Sequence, residues 1–177
     1  MIRGLCKASL IIALLTFSAS ASSVPSSSGM EFDCDVPADH YSSISQDLIG
    51  VPTIRGLVRA IELRPGNYLP LAGARIVSPD GKRSVTFQII ADSPRARQFD
   101  VILSTQNNET SNRKTVAQVA AESDIQFSLS LADAGKATLV LDDMSFDTDF
   151  EPLPSARGKA FCSTAQFKFF DLAFSSI

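Results

Sequence analysis

From Glu31 onward the apolar positions recur with a period of two rather than 3.6. Ile125, Phe127, Leu129 and Leu131 alternate with Gln126, Ser128 and Ser130. A half-buried strand requires this pattern, because successive side chains point to opposite faces. Val85, Phe87, Ile89 and Ala91 repeat it against Thr86 and Gln88, and Phe32, Cys34 and Val36 alternate with Glu31, Asp33 and Asp35. Further strands are expected at Leu57–Leu63, Leu69–Val77, Phe99–Leu103, Ala137–Leu141 and Ala165–Phe174. Asp80-Gly81 and Ala134-Gly135 each separate two such runs, where glycine can take the positive φ of a tight turn, so antiparallel hairpins are expected at both. The polar run Ser104–Asn112 reads as a loop, and Thr115–Glu122 as a strand or one short helix. Short strands at this spacing, with no long helical period and no internal repeat, predict an all-β antiparallel β-sandwich.

The N-terminus has a different pattern. Arg3 and Lys7 precede an apolar stretch from Ala8 to Phe17, and Ala19-Ser20-Ala21 supplies small residues for a signal peptidase. Residues 1–21 are therefore expected to be a signal peptide. Its apolar core of about ten residues is well short of the roughly 20 needed to span a bilayer. Cys6 lies before that core, which argues against a lipid-modified cysteine. Residues 22–30, mostly serine with one proline, are expected to form a flexible leader, and 31–177 a single β-sandwich domain. No other segment is apolar enough to insert in a membrane, so a secreted or periplasmic protein is expected.

Cleavage after Ala21 leaves 156 of the 177 residues, and takes two of the 16 basic residues and none of the 19 acidic ones. With 14 basic against 19 acidic side chains the charge falls from −3 to −5. A mildly acidic chain without a basic run is a poor partner for nucleic acid or an anionic membrane surface. Of the three cysteines, Cys6 leaves with the signal. Cys34 and Cys162 remain as a pair in an oxidising compartment, and a disulfide between them is expected.

The run from Asp124 to Phe146, a strand, an Ala-Gly turn, a second strand and then Asp142-Asp143, resembles the hairpin of concanavalin-like and laminin-G-like jelly rolls. The closing segment Phe167-Lys168-Phe169-Phe170-Asp171-Leu172-Ala173-Phe174 is similar to the last strand of jelly-roll carbohydrate-binding modules, with its aromatic-Asp-apolar pattern. The resemblance implies a sandwich that binds glycans or proteins and assigns no ligand.

Candidate chemistry is sparse. The chain has no Trp and only Tyr41 and Tyr68, so stacking platforms for sugars are few. Arg64-Pro65-Gly66-Asn67-Tyr68 is the best binding candidate, a turn exposing a ring beside an amide and a guanidinium; an ordinary Pro-Gly turn explains the same residues. Asp142, Asp143, Asp147, Asp149 and Glu151 offer hard oxygen donors of the kind Ca²⁺ takes, although their spacing is not that of an EF-hand. A solvated loop or edge strand accounts for them equally. His40 is the only histidine and a candidate base for a nucleophile; a surface or hydrogen-bonded structural role accounts for it as well. No phosphate-binding glycine loop, nucleophile elbow or cofactor motif is present. The leading expectation is an exported non-catalytic β-sandwich that binds a glycan or a cell-envelope partner. The alternatives are a small secreted or periplasmic hydrolase, and a structural or assembly protein without a small ligand.

Overall fold

The computed structural model describes residues 29–132 and 134–176, so the signal peptide and nearly all of the expected leader lie outside the described residues. Twelve strands follow one another: β1 (Met30–Asp35), β2 (Tyr41–Ile49), β3 (Pro52–Leu63), β4 (Leu71–Val77), β5 (Arg83–Ile90), β6 (Gln98–Asn107), β7 (Thr110–Ala120), β8 (Ile125–Ala132), β9 (Lys136–Leu141), β10 (Met144–Asp149), β11 (Ser155–Ser163) and β12 (Ala165–Ser176). They form two antiparallel six-stranded sheets. Sheet A runs β1-β12-β3-β8-β9-β10 and sheet B runs β2-β11-β4-β5-β6-β7.

The expected hairpins form at both places. β4 pairs β5 across Gly81 (φ 74°), and β8 pairs β9 across Gly135 (φ 76°). The apolar phases face each other between the sheets, with Phe87, Phe99, Phe127, Phe167 and Phe169 fully buried. Phe87 packs on Phe127 with ring centroids 5.2 Å apart, and Phe127 meets Phe169 edge-on.

Two expectations are corrected and one open alternative is resolved. Ser104–Asn112 is not a loop: β6 continues to Asn107 and β7 begins at Thr110, leaving a tight turn in which Asn108 takes φ 53°. These strand ends project where both faces meet water, so pairing rather than apolar burial holds them extended. Thr115–Glu122 resolves as strand through Ala120. β1 begins at Met30, so the last residue assigned to the leader is paired, with Leu172.

Cys34 and Cys162 form the expected disulfide, with Cα atoms 6.1 Å apart. β1 lies beside β12, but Cys162 sits on β11 in the opposite sheet. The bridge therefore crosses the core and joins the two sheets. No helix among the described residues is long and apolar enough to cross a membrane.

Candidate functional site

The residues singled out in sequence lie in different places. Arg64, Asn67 and Tyr68 belong to the loop between β3 and β4, where two of the three side chains hold the loop itself. Arg64 donates to Glu62 (2.6 Å) and Asp35 (2.7 Å), and these bonds raise its pKa above the usual arginine value. The Asp39 carboxylate accepts the Asn67 and Tyr68 backbone N–H groups (2.6 and 2.9 Å) and the Asn67 side-chain amide (2.9 Å). Tyr68 stays 66% exposed. His40 is exposed too, its Nδ1 2.8 Å from the carbonyl of Ala38.

The five acids are spread out. Asp142 and Asp143 occupy the β9–β10 turn, Asp147 accepts the Thr138 hydroxyl (2.7 Å) on the outer face of β10, Asp149 pairs in register with Lys136, and Glu151 meets Arg83 (3.2 Å). Among the described residues no three His, Cys, Asp or Glu side chains converge on a cation position.

A larger feature, which the sequence reading did not single out, is the outer face of sheet B. Register places Ser45, Lys159, Arg75, Thr86, Ser104 and Arg113 side by side across all six strands. The next row reads Ser43, Phe161, Gly73, Gln88, Ile102 and Thr115. Among the described residues no further layer covers this face, yet Thr86, Phe161 and Ile102 on it are 2, 4 and 6% exposed. Neighbouring side chains lean over them, Tyr41 over Phe161 and Arg75 onto Thr86, as on a curled, recessed face. Gly73 permits this curl, because a Cβ there would lie 2.1 Å from the carbonyl oxygen of Phe87. A depression of about 350 Å³ at one end is bounded by Asp47, Val77, Arg157 and Lys159. Another of about 730 Å³ at the diagonally opposite end is bounded by Asp100, Gln118 and the loop carrying Arg95 and Arg97.

The charge of this face opposes that of the chain. Arg75 donates to the Thr86 hydroxyl (2.8 Å). Among the described residues no carboxylate lies within ion-pair distance of Arg75, Arg113 or Lys159. Arg157 is paired with Asp47 at 2.7 Å, and its hydrogen bond and charge hold the Asp47 carboxyl below the usual range. Asp100 accepts the Gln118 amide (2.8 Å). Tyr41, tilted over Phe161 with ring centroids 5.8 Å apart, stands at the margin where the Tyr68 loop enters β4. The face offers a line of cations, hydroxyls and amides over an apolar floor, a surface suited to an elongated ligand bearing carboxylates and hydroxyls.

A trace of this face is present in sequence. Arg157 and Lys159 alternate with Ala156, Gly158 and Ala160, so the basic residues share one strand face. Small residues on the other phase hid the strand, because they give a weak apolar signal.

No family model matches the chain, and no curated protein is similar to it in sequence. In structure it is similar to the CBM2 module of the evolved Dit of Lactobacillus casei BL23 phage J-1, with a TM-score of 0.55 and 10% identity over 75% of this chain and 67% of that one. It is also similar to an alginate lyase from Pseudomonas aeruginosa, with a TM-score of 0.56 and 11% identity over 72% of this chain and 65% of that one. A third neighbour is the carbohydrate-binding module CBM66 from Bacillus subtilis, with a TM-score of 0.52 and 13% identity over 83% of this chain and 92% of that one. This chain thus spans about two thirds of the first two neighbours and most of the third. At these identities the likeness shows the fold, a jelly-roll sandwich.

Proposed function

We propose that the protein is an exported, non-catalytic glycan-binding sandwich whose ligand, a polyanionic glycan such as a polyuronate, lies across the outer face of sheet B. The observation that carries this reading is the line Lys159–Arg75–Arg113, three cations without carboxylate partners on a recessed face of a chain whose net charge is −3. Such a face concentrates a polyanion, and the serine, threonine and glutamine side chains between the cations match its hydroxyls. Tyr41 and Tyr68 flank the end of the face, with Arg64 and Asn67 fixing the loop that presents Tyr68. Carbohydrate-binding modules and an alginate lyase among the structural neighbours are consistent with a glycan on this fold.

The test is titration of the exported protein with polygalacturonate, alginate and a neutral β-glucan at two salt concentrations. Binding of a polyuronate that weakens with salt is expected. Replacing Arg75, Arg113 and Lys159 together by alanine should cost about 1–3 kcal/mol, or about 5- to 150-fold in Kd, at up to about 1 kcal/mol per exposed charge contact. Equal affinity for the neutral glucan, or an unchanged triple variant, refutes the reading. A new ultraviolet absorbance from carbon–carbon double bonds on incubation with the polyuronates would instead identify a lyase.

A further inference from the structure

The outer face of sheet A, on the far side of the molecule, carries a groove of about 580 Å³, within the size range of small-molecule sites. A mismatch between β12 and β3 builds it. Phe170 pairs Leu57 and Ala173 pairs Arg55, so Asp171 and Leu172 together stand opposite Gly56. A Cβ at Gly56 would lie 3.2 Å from the Leu172 Cα, so the glycine makes room for the extra residue. Leu172 is then buried, and Asp171, at φ 49°, is turned out to solvent at one wall of the groove. Such bulges re-aim side chains and recur beside functional sites.

The other wall is Asp142, also at φ 49°, tied to β8 because its carboxylate accepts the Gln126 backbone N–H (3.3 Å) and its own N–H donates to the Gln126 carbonyl (3.1 Å). Between the walls Leu57 pairs Gln126, and Arg55, Ser128 and Val140 stand in one row. The floor is thus half apolar, from Leu57 and Val140, with amide, hydroxyl and guanidinium groups around it.

We propose that this groove is a second binding site, for a neutral glycan of about disaccharide length. Strand order decides the ligand class. β12 and β9 are three strand steps apart, so the backbones at Asp171 and Asp142 stand about 14 Å from one another, with the Asp142 carboxylate leaning back over β8 to Gln126. One cation cannot bridge that span, whereas two sugar rings fill it. Carboxylates accept from sugar hydroxyls, Gln126 and Ser128 both donate and accept, and the Leu57–Val140 floor meets the apolar face of a pyranose. Two carboxylates against the one guanidinium of Arg55 leave the groove net negative, which disfavours the polyuronate proposed for the opposite face.

The experiment is an NMR titration of the exported protein with maltose, cellobiose, lactose and sucrose. At least one disaccharide should give saturable shifts at the Gln126, Ser128 and Val140 amides. Asp171→Asn, which tolerates the same positive φ, should weaken binding about tenfold, the loss of one charge-assisted hydrogen bond. Val140→Arg, an outward position whose folding is checked by its melting curve, should abolish it. The Arg75, Arg113 and Lys159 alanine variant should leave it unchanged, which separates this site from the one on sheet B. Absence of saturable shifts with all four sugars overturns the proposal. So do shifts that survive Val140→Arg, or the same shifts produced by calcium alone.

Discussion

Replacing Cys34 and Cys162 by alanine tests the architecture most directly. The two residues are 128 positions apart, so the bridge closes almost the whole domain into one loop. In the chain-entropy treatment a loop of that length restricts the unfolded chain by about 5 kcal/mol, and loss of native disulfides typically costs 2–5 kcal/mol. Both sulfurs are also packed in the core, at 1 and 0% exposure, so their removal leaves space that the fold must close or leave empty. At about 2–4 °C per kcal/mol for a domain of this size, the melting temperature should drop by about 10 °C. Urea denaturation should show a lower midpoint and a steeper slope, because an unfolded chain freed of its cross-link exposes more surface. The oxidised wild type treated with reductant should reproduce the variant. Coincident unfolding curves with and without the bridge would refute both the loop argument and the claim that the cross-link joins the sheets.

Three further outcomes follow from the same structure. Gly73→Ala should destabilise by about 2–4 kcal/mol in chemical denaturation, because its Cβ would meet β5 backbone that no side-chain rotation can clear; an unaltered midpoint would show that the curl of β4 is not needed. Hydrogen bonds to Arg157, Ser78 and Arg59 lower the pKa values of Asp47, Asp80 and Asp124 respectively. Their stabilisation is therefore complete above the unfolded carboxyl pKa of about 4 and is lost as pH falls through the folded values. Asp124→Asn should flatten the acid limb of a melting-temperature profile, and a profile parallel to wild type would discount the Arg59 pair. Intact-mass analysis of the exported protein should give a chain beginning at Ser22, and an exported product retaining Met1 would disprove cleavage after Ala21.

The legible parts of the fold were strands with one apolar and one polar phase. β5 and β8 have that form because one face meets the core and the other meets water. β2 was missed because Tyr41–Ile49 is an edge strand with polar residues on both phases, Ser42 and Gln46 inward as well as Ser43 and Ser45 outward. The outer half of the β6–β7 hairpin extends beyond the core, so its sequence is free to be polar throughout. Composition therefore misread it as a loop. The cation row was not legible, because Lys159, Arg75 and Arg113 fall in one row only through the order of β11, β4, β5, β6 and β7 in the sheet. Arg64 and Asn67 illustrate the converse: a good hydrogen-bonding inventory in a turn says nothing of whether its donors are already taken, and here Glu62, Asp35 and Asp39 take them.

β12 lies between β1 and β3, and β11 between β2 and β4. Among the described residues β1 has no neighbour in its sheet other than β12, and β2 none other than β11. The earliest strands to be synthesised thus wait for the latest. While β11 and β12 are still in the ribosome, each sheet is split, and pairings that span most of the chain are slow to close. If the chain is exported, as proposed here, such a delay would be useful. It would keep the polypeptide unfolded for passage through a narrow channel, and would defer the last pairing, together with the oxidation of Cys34 and Cys162, to the far side of the membrane.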